Sequence, residues 1–324
     1  MKKQSKPTFD FAVGGQAVIE GVMMRSNEFV TVAVRKEDGT IKVKDDPFRS
    51  LSKKIKVLGL PLIRGIINLG EMMMIGMKTL NYSANQMIEE PGQEEADKTR
   101  KQKIGEGILF AFSFVIAISL SLFLFKFLPL WITEWVSGIY EPFRNSVLYN
   151  VLDGVLKTSF FLLYIFLLSF MPSIKRVFEY HGAEHKSIFA YENGGGLTVK
   201  NARKQSRFHP RCGTSFIFIV FMISILVYTV LPRNPDFTIN FLNRMMLLPV
   251  IAAISYEFLK WSAKKQNNPL MKMLIAPGLA FQRLTTKEPS DEQLEVALHA
   301  LQKALDLEEE KSLSPSDEKL VFVP

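Results

Sequence analysis

The stretch YHGAEHKS, residues 180–187, holds two histidines four positions apart with an acid between them. On a helix such positions lie one above the other, so the His181 and His185 imidazoles can converge on one ion about 2.0–2.1 Å from each nitrogen. The order H-x-x-E-H matches the inverted zinc-peptidase motif. A second stretch, FHPRCGTSF at 208–216, adds His209 and Cys212, with Pro210 and Gly213 to shape a turn between them and the helix. Of four histidines and one cysteine in 324 residues, three histidines and the cysteine fall between 181 and 212. That crowding marks His181, His185, His209 and Cys212 as the expected metal ligands, with zinc the ion that suits nitrogen and sulfur donors. If all four bind, the site is closed and structural. If three bind, a position stays open for water, and Glu184 is placed to take its proton. A Cys–His nucleophile pair is the weaker reading, because Cys212 begins an apolar run.

A helix from an N-cap at Ser173 to the glycines at 194–196 is expected to carry these residues. At about 100° per residue, Ile174, Val177, Phe178, His181, His185, Ile188 and Phe189 fall within roughly 60° of one direction. Lys175, Arg176, Glu179 and Lys186 point the other way, toward water, and Glu184 sits at the edge of the stripe. His299 stands apart and is read as a packed or solvated histidine.

Uncharged apolar runs at Gly107–Phe125, Thr158–Ile174, Cys212–Pro232 and Met245–Tyr256 are too apolar for an ordinary soluble core. A helix needs about 20 such residues to cross roughly 30 Å of hydrocarbon. Four spans are expected, near 107–130, 152–172, 212–232 and 241–261, in a membrane domain at 104–265. No cleavable signal peptide is expected ahead of them. The 173–211 connection is rich in Lys and Arg, whereas 131–146 has Arg144 alone, so the connection and both termini are expected in the cytosol. Asp153 and Lys157, a helix-spaced pair in the second span, are expected to reach for the interface, with a proton path as the weaker alternative. Glu257, at the cytosolic end of the fourth span, is a candidate further ligand or a partner of a ligand histidine.

Ahead of the spans, FVTVAVRKEDGTIKVK alternates around Asp38-Gly39 and predicts a β-hairpin within a cytosolic region at 1–58. Residues 59–88 read as an interfacial helix with Arg64, Asn68, Glu71 and Lys78 in one polar stripe and a Met-rich patch at 72–77. A charged linker, 89–103, follows. After the spans come an interfacial element interrupted at Pro277-Gly278 and a helix opened by a capping box, Ser290 to Gln293, together 266–308. Residues 309–324 are expected to be a disordered acidic tail. The fold class is therefore a mainly α polytopic membrane protein with interfacial helices and a small N-terminal β element.

The net charge of +8 suits an anionic bilayer surface. No basic, aromatic-interleaved module points to nucleic acid. A single cysteine leaves no intrachain disulfide. The AVGGQAVIEGVMMRS stretch reads first as a glycine-punctuated strand or loop buried under the hairpin. Its functional reading uses Gly14, Gly15 and Gly21 for close backbone approach, with Gln16, Glu20 and Arg25 as polar contacts.

The segments GGQAVIEGVMMR at 14–25, EYHGAEHK at 179–186 and FHPRCGTSF at 208–216 resemble the signatures of the YqhQ-like family. These are bacterial integral membrane proteins of unknown function, with relatives in plants, often described as predicted metal-dependent enzymes. The resemblance runs from the hairpin to the final helix. It implies that Glu20, Arg25, His181, Glu184, His185, His209 and Cys212 belong to the site. Two functions follow as expectations. One is a zinc-dependent hydrolase at the cytosolic membrane surface, with a peptide or lipid-linked substrate. The other is a non-enzymatic factor with a structural metal, binding another membrane machine such as an export channel or membrane protease. Transport is a weaker third.

Overall fold

A computed structural model of the chain describes residues 13–88, 100–230, 234, 236–265 and 268–313. The expectations for the first ten residues, for 89–99 of the charged linker and for 314–324 of the acidic tail lie outside the described residues. The N-terminal part forms a four-stranded antiparallel meander, β1 (Gly14–Val18), β2 (Gly21–Arg25), β3 (Phe29–Arg35) and β4 (Ile41–Pro47), in sequence order. The expected hairpin is its β3–β4 half: Asp38 Oδ1 accepts from Thr40 N at 2.9 Å, and Gly39 takes a left-handed φ of 83°. The GGQAVIEGVMMR stretch is itself a hairpin, with Gly14 opposite Arg25 and Val18 opposite Gly21.

Both faces of this sheet are covered, which explains why β2 reads as an unbroken apolar run. Val22, Met24 and Ala33 pack into one core with Tyr180, Ala183, Ile188, Leu294, Ala297 and Leu301. Val18, Met23, Val30, Val32 and Val34 face the other way, against Met72, Ile75, Tyr82 and Met87. Helix α1 (Leu51–Lys54) follows the sheet, and α2 (Ile63–Ile88) supplies the second layer. Of the Met-rich patch, Met72 and Ile75 turn inward while Met73 and Met74 stay more than half exposed.

Helix α3 (Arg100–Leu122) runs through a π-helical turn at Phe123–Phe127 into α4 (Leu128–Ile139), and α5 (Ser146–Leu168) returns. Helix α6 (Pro172–Glu192) carries the histidines, followed by the short α7 (Val199–Arg203). Next come α8 (Gly213–Val230), α9 (Phe237–Met246), α10 (Leu248–Lys264), α11 (Pro269–Thr285) and α12 (Asp291–Leu313). Among the described residues three helices are long and apolar enough to cross a membrane, Gly107–Ile139, Ser146–Leu168 and Gly213–Val230, and the pair α9 and α10, bent by 41°, makes up to four.

Several local expectations are corrected. Met171, not Ser173, is the N-cap of α6, because Pro172 already opens the helix, and α12 runs on through 309–313, the start of the expected tail. Pro277-Gly278 does not interrupt α11; the helix carries Pro277 internally, and bare Gly278 lets Ser215 of α8 approach, an added Cβ lying 3.0 Å from its side chain. Lys186 does not face water: α7 and the segment before α12 cover that side of α6, so its ammonium donates to Arg203 O at 2.9 Å and pairs with Glu288. Asp153 and Lys157 do not reach the interface; both are buried among the spans. The capping box of α12 forms as expected, Ser290 N donating to Gln293 Oε1 at 2.9 Å and Gln293 N to Ser290 Oγ at 3.3 Å.

Candidate metal centre

Helix α6 starts with Pro172 in its first turn and ends at Asn193, beyond which Gly194 turns left-handed at φ 68°. Its histidine face meets two other segments. Gly182 has no Cβ, so the backbone at Lys287 lies directly against the helix, with Lys287 N donating to Phe178 O at 2.8 Å. The turn from Arg207 to Cys212 packs on the other flank. Gln282 of α11, fully buried, fixes that turn: its Oε1 accepts from His209 N and its Nε2 donates to His209 O, both at 2.8 Å.

The ring nitrogens can then be assigned from their partners. His181 Nδ1 lies 2.8 Å from Thr285 O, and His185 Nδ1 lies 2.5 Å from Arg207 O. A carbonyl only accepts, so each Nδ1 carries the proton and each Nε2 presents a lone pair. One ring nitrogen of each histidine and Cys212 Sγ lie within 4.8 Å of one another, with 3.2 Å from His181 Nε2 to the sulfur, and both Nε2 atoms lie within 3.9 Å of Glu184 Oε2. Bonds of about 2.0–2.3 Å put two ligands of one ion within about 4.5 Å, so the trio stands nearly at bonding separation. Metal-bound histidines characteristically donate their other N–H to a carbonyl. Burial lowers the pKa of His185 and keeps its ring neutral, and its Nε2 is a buried nitrogen without a hydrogen bond in the structure. The residues thus fit a metal ion. Cys212 directly precedes α8, at the positive end of the helix dipole, where Thr214 N donates to the sulfur at 3.4 Å.

Glu184 borders the same space, its Oε2 3.9 Å from His181 Nε2 and 3.7 Å from His185 Nε2. Burial raises its pKa, opposed by His181, His209 and a hydrogen bond from the Gly15 backbone. A Cβ on Gly15 would lie 2.7 Å from Glu184 Cγ, so the glycine of β1 is what lets the sheet meet the acid. Glu20, at the β1–β2 turn with φ 50°, pairs with Arg176 and accepts from Tyr180 O–H at 3.4 Å. The N-terminal and histidine signatures are therefore one assembly.

The other candidates lie further out. His209 has its ring 5.6 Å from that of His185 and on the edge of Phe189, with Nε2 3.4 Å from Glu192; burial lowers its pKa to about 4. Arg25 turns to the opposite face of the sheet, 2.7 Å from Met72 Sδ and over the Phe48 ring. Glu257 pairs with Arg64 of α2, Arg64 Nε donating at 2.7 Å. His299 is exposed. Gln282 and the carbonyls of Thr285 and Arg207 were not foreseen. A lone amide in the apolar run before Thr285 is the only sequence signal of the first, and carbonyls carry none.

Residues 60–307 match the family described as "Protein of unknown function (DUF1385)". The chain is 36% identical over 309 residues to "Uncharacterized protein YqhQ" of Bacillus subtilis (strain 168), covering 95% of this chain and 96% of that protein. No solved structure matches. With the family match covering most of the chain and that identity running along nearly its whole length, the chain belongs to the DUF1385 family, and its apolar helices make it a multi-pass bacterial membrane protein.

Proposed function

We propose that the chain is a zinc-dependent hydrolase of the membrane surface, with His181, His185 and Cys212 as protein ligands and Glu184 as general base. The observation that carries this reading is the tautomer pair: two carbonyls hold the Nδ1 protons, leaving both Nε2 lone pairs and the sulfur facing one space. A bound zinc ion supplies Lewis acidity, polarising a scissile carbonyl or phosphoryl oxygen and acidifying water. Glu184 Oε2, on the border of that space but outside the trio, is positioned to receive the proton from water and return it to the leaving group. Gly15 N–H orients the carboxyl. His209, tied to Glu192, shields the flank of His185. The site lies where the α6 layer meets the start of the apolar helix α8, which favours a peptide or lipid-linked substrate at the bilayer surface. The Lys and Arg content of the 173–211 connection favours the cytosolic face.

A second reading has one specific observation behind it. The centre joins β1 through Gly15, α6, the end of α11 through Thr285 and the start of α8 through Cys212, as a structural metal would. In that case the metal holds the cytosolic layers to the spans, and the protein serves another membrane machine, an export channel or protease. Glu184→Gln separates the two, with metal content and complementation of a strain lacking the protein as readouts. Retained metal with lost complementation is expected for the hydrolase; retained metal with full complementation overturns it.

A further inference from the structure

The spans contain charges that the metal centre does not use. Asp153 of α5 accepts through Oδ2 from both Lys157, one helical turn on, and Arg244 of α9; all three are buried. Arg244 also donates to Asn150 Oδ1 at 2.5 Å and lies 4.6 Å over the Tyr228 ring of α8. The Lys157 ammonium lies 5.2 Å over the same ring. Asp153 Oδ1 is buried without a hydrogen bond in the structure.

A third basic residue lies on the turn that packs against both helices, Phe125 on Phe161 of α5 and Phe127 on Phe241 of α9. Lys126, half-buried on the π-helical turn at Phe123–Phe127, is in electrostatic reach of Lys157, Asp153 and Arg244 but has no hydrogen bond or ion pair among the described residues. Another acid, Glu134 of α4, accepts from Tyr149 O–H at 2.7 Å. Lys126, Lys157 and Arg244 thus share one carboxylate, and they outnumber the acids even with Glu134 counted. Unbalanced charge in a low-dielectric bundle is costly, and intramembrane ionisable residues mark sites of function. Both neighbouring irregularities, the π-helical turn and the 41° bend between α9 and α10, are of the kind found at intramembrane binding sites.

We propose that Lys126, Lys157 and Arg244 form an anion-binding site within the membrane bundle that takes a phosphate group. Lys126 has all three ammonium protons to offer and Lys157 has two beyond its bond to Asp153, a donor set for an oxyanion. Exposed Phe123 beside Lys126 gives the site a face toward lipid, so the phosphate belongs to a lipid headgroup or enters as the free ion.

The test is thermal unfolding of the purified full chain in neutral detergent. Phosphatidylglycerol, phosphatidylcholine and inorganic phosphate are added separately, to wild type and to Lys126→Met. Lys126 makes no bond whose loss would unfold the protein, and Lys157→Met provides a second variant. At about a hundredfold excess over Kd, phosphatidylglycerol is expected to raise the wild-type midpoint by on the order of 5 °C and phosphatidylcholine to leave it unchanged. Lys126→Met is expected to lose most of that rise while keeping the midpoint seen without lipid. A matching response to inorganic phosphate identifies the free ion as sufficient; its absence identifies the lipid headgroup. Replacing Lys53, Lys54 and Lys56 by Gln is expected to preserve the rise. No anion-dependent rise, or an equal one in wild type, Lys126→Met and Lys157→Met, overturns the proposal.

Discussion

Thr285 O and Arg207 O decide what His181 and His185 can do, because each takes an Nδ1 proton and leaves the other nitrogen free. The turn bearing Arg207 to Cys212 depends in turn on Gln282, so Gln282→Ala, which strands His209 N and O, is expected to cost about 1–3 kcal/mol and to weaken metal retention, checked by denaturation and metal content together. Unchanged metal affinity in a destabilised variant would show that the turn does not set the ligand geometry. Gly15→Ala places a methyl 2.7 Å from both Glu184 Cγ and Met23 O; it is expected to cost about 1–3 kcal/mol and to impair function without removing a ligand. Wild-type stability and complementation would contradict that role. At this scale the ligands were legible because histidine and cysteine are scarce in the chain and clustered. Their supports were not: a backbone carbonyl has no letter of its own, and Lys186 looks solvent-facing until α7 and Glu288 cover it.

Among the elements, α12 closes the assembly over the sheet. Thr31 Oγ1 of β3 donates to Ala300 O at 2.7 Å, and Leu301 is fully buried in the shared core with Val22 and Tyr180. Leu301→Ala is expected to destabilise the sheet and α6 layers by about 2–5 kcal/mol, and Ser290→Ala at the capping box by about 1 kcal/mol, both measured by denaturation. A neutral Leu301→Ala would contradict α12 as a core layer. The capping box, the Asp38-Gly39 turn and the histidine helix were legible because each is a local signal read within one element. The four-stranded extent of the sheet was less so. Covered on both faces, β2 lacks the alternation that betrays a half-exposed strand, and Pro277 looks like a break until Gly278 is seen packed on Ser215.

For the whole molecule, packing constrains topology without appeal to charge. The sheet before the spans, α6 between the second and third, and α12 after the last share one core, so they lie on one side of the membrane. An even number of crossings is then expected between them, with the bent pair α9 and α10 as a returning span. Single-cysteine variants in a Cys212→Ser background at Lys42, Lys200 and Gln302 are therefore expected to label from the same side, and Tyr140 from the other; labelling of Lys42 and Gln302 from opposite sides would contradict the shared core. The central claim concerns the ligand trio, and metal stoichiometry of the full-length protein purified gently from membranes tests it most directly. One zinc per chain is expected in wild type, falling by at least tenfold in affinity in His185→Gln and Cys212→Ser while the sheet and helices stay folded. No stoichiometric metal in wild type even after zinc is added, or undiminished loading in both variants, would contradict it.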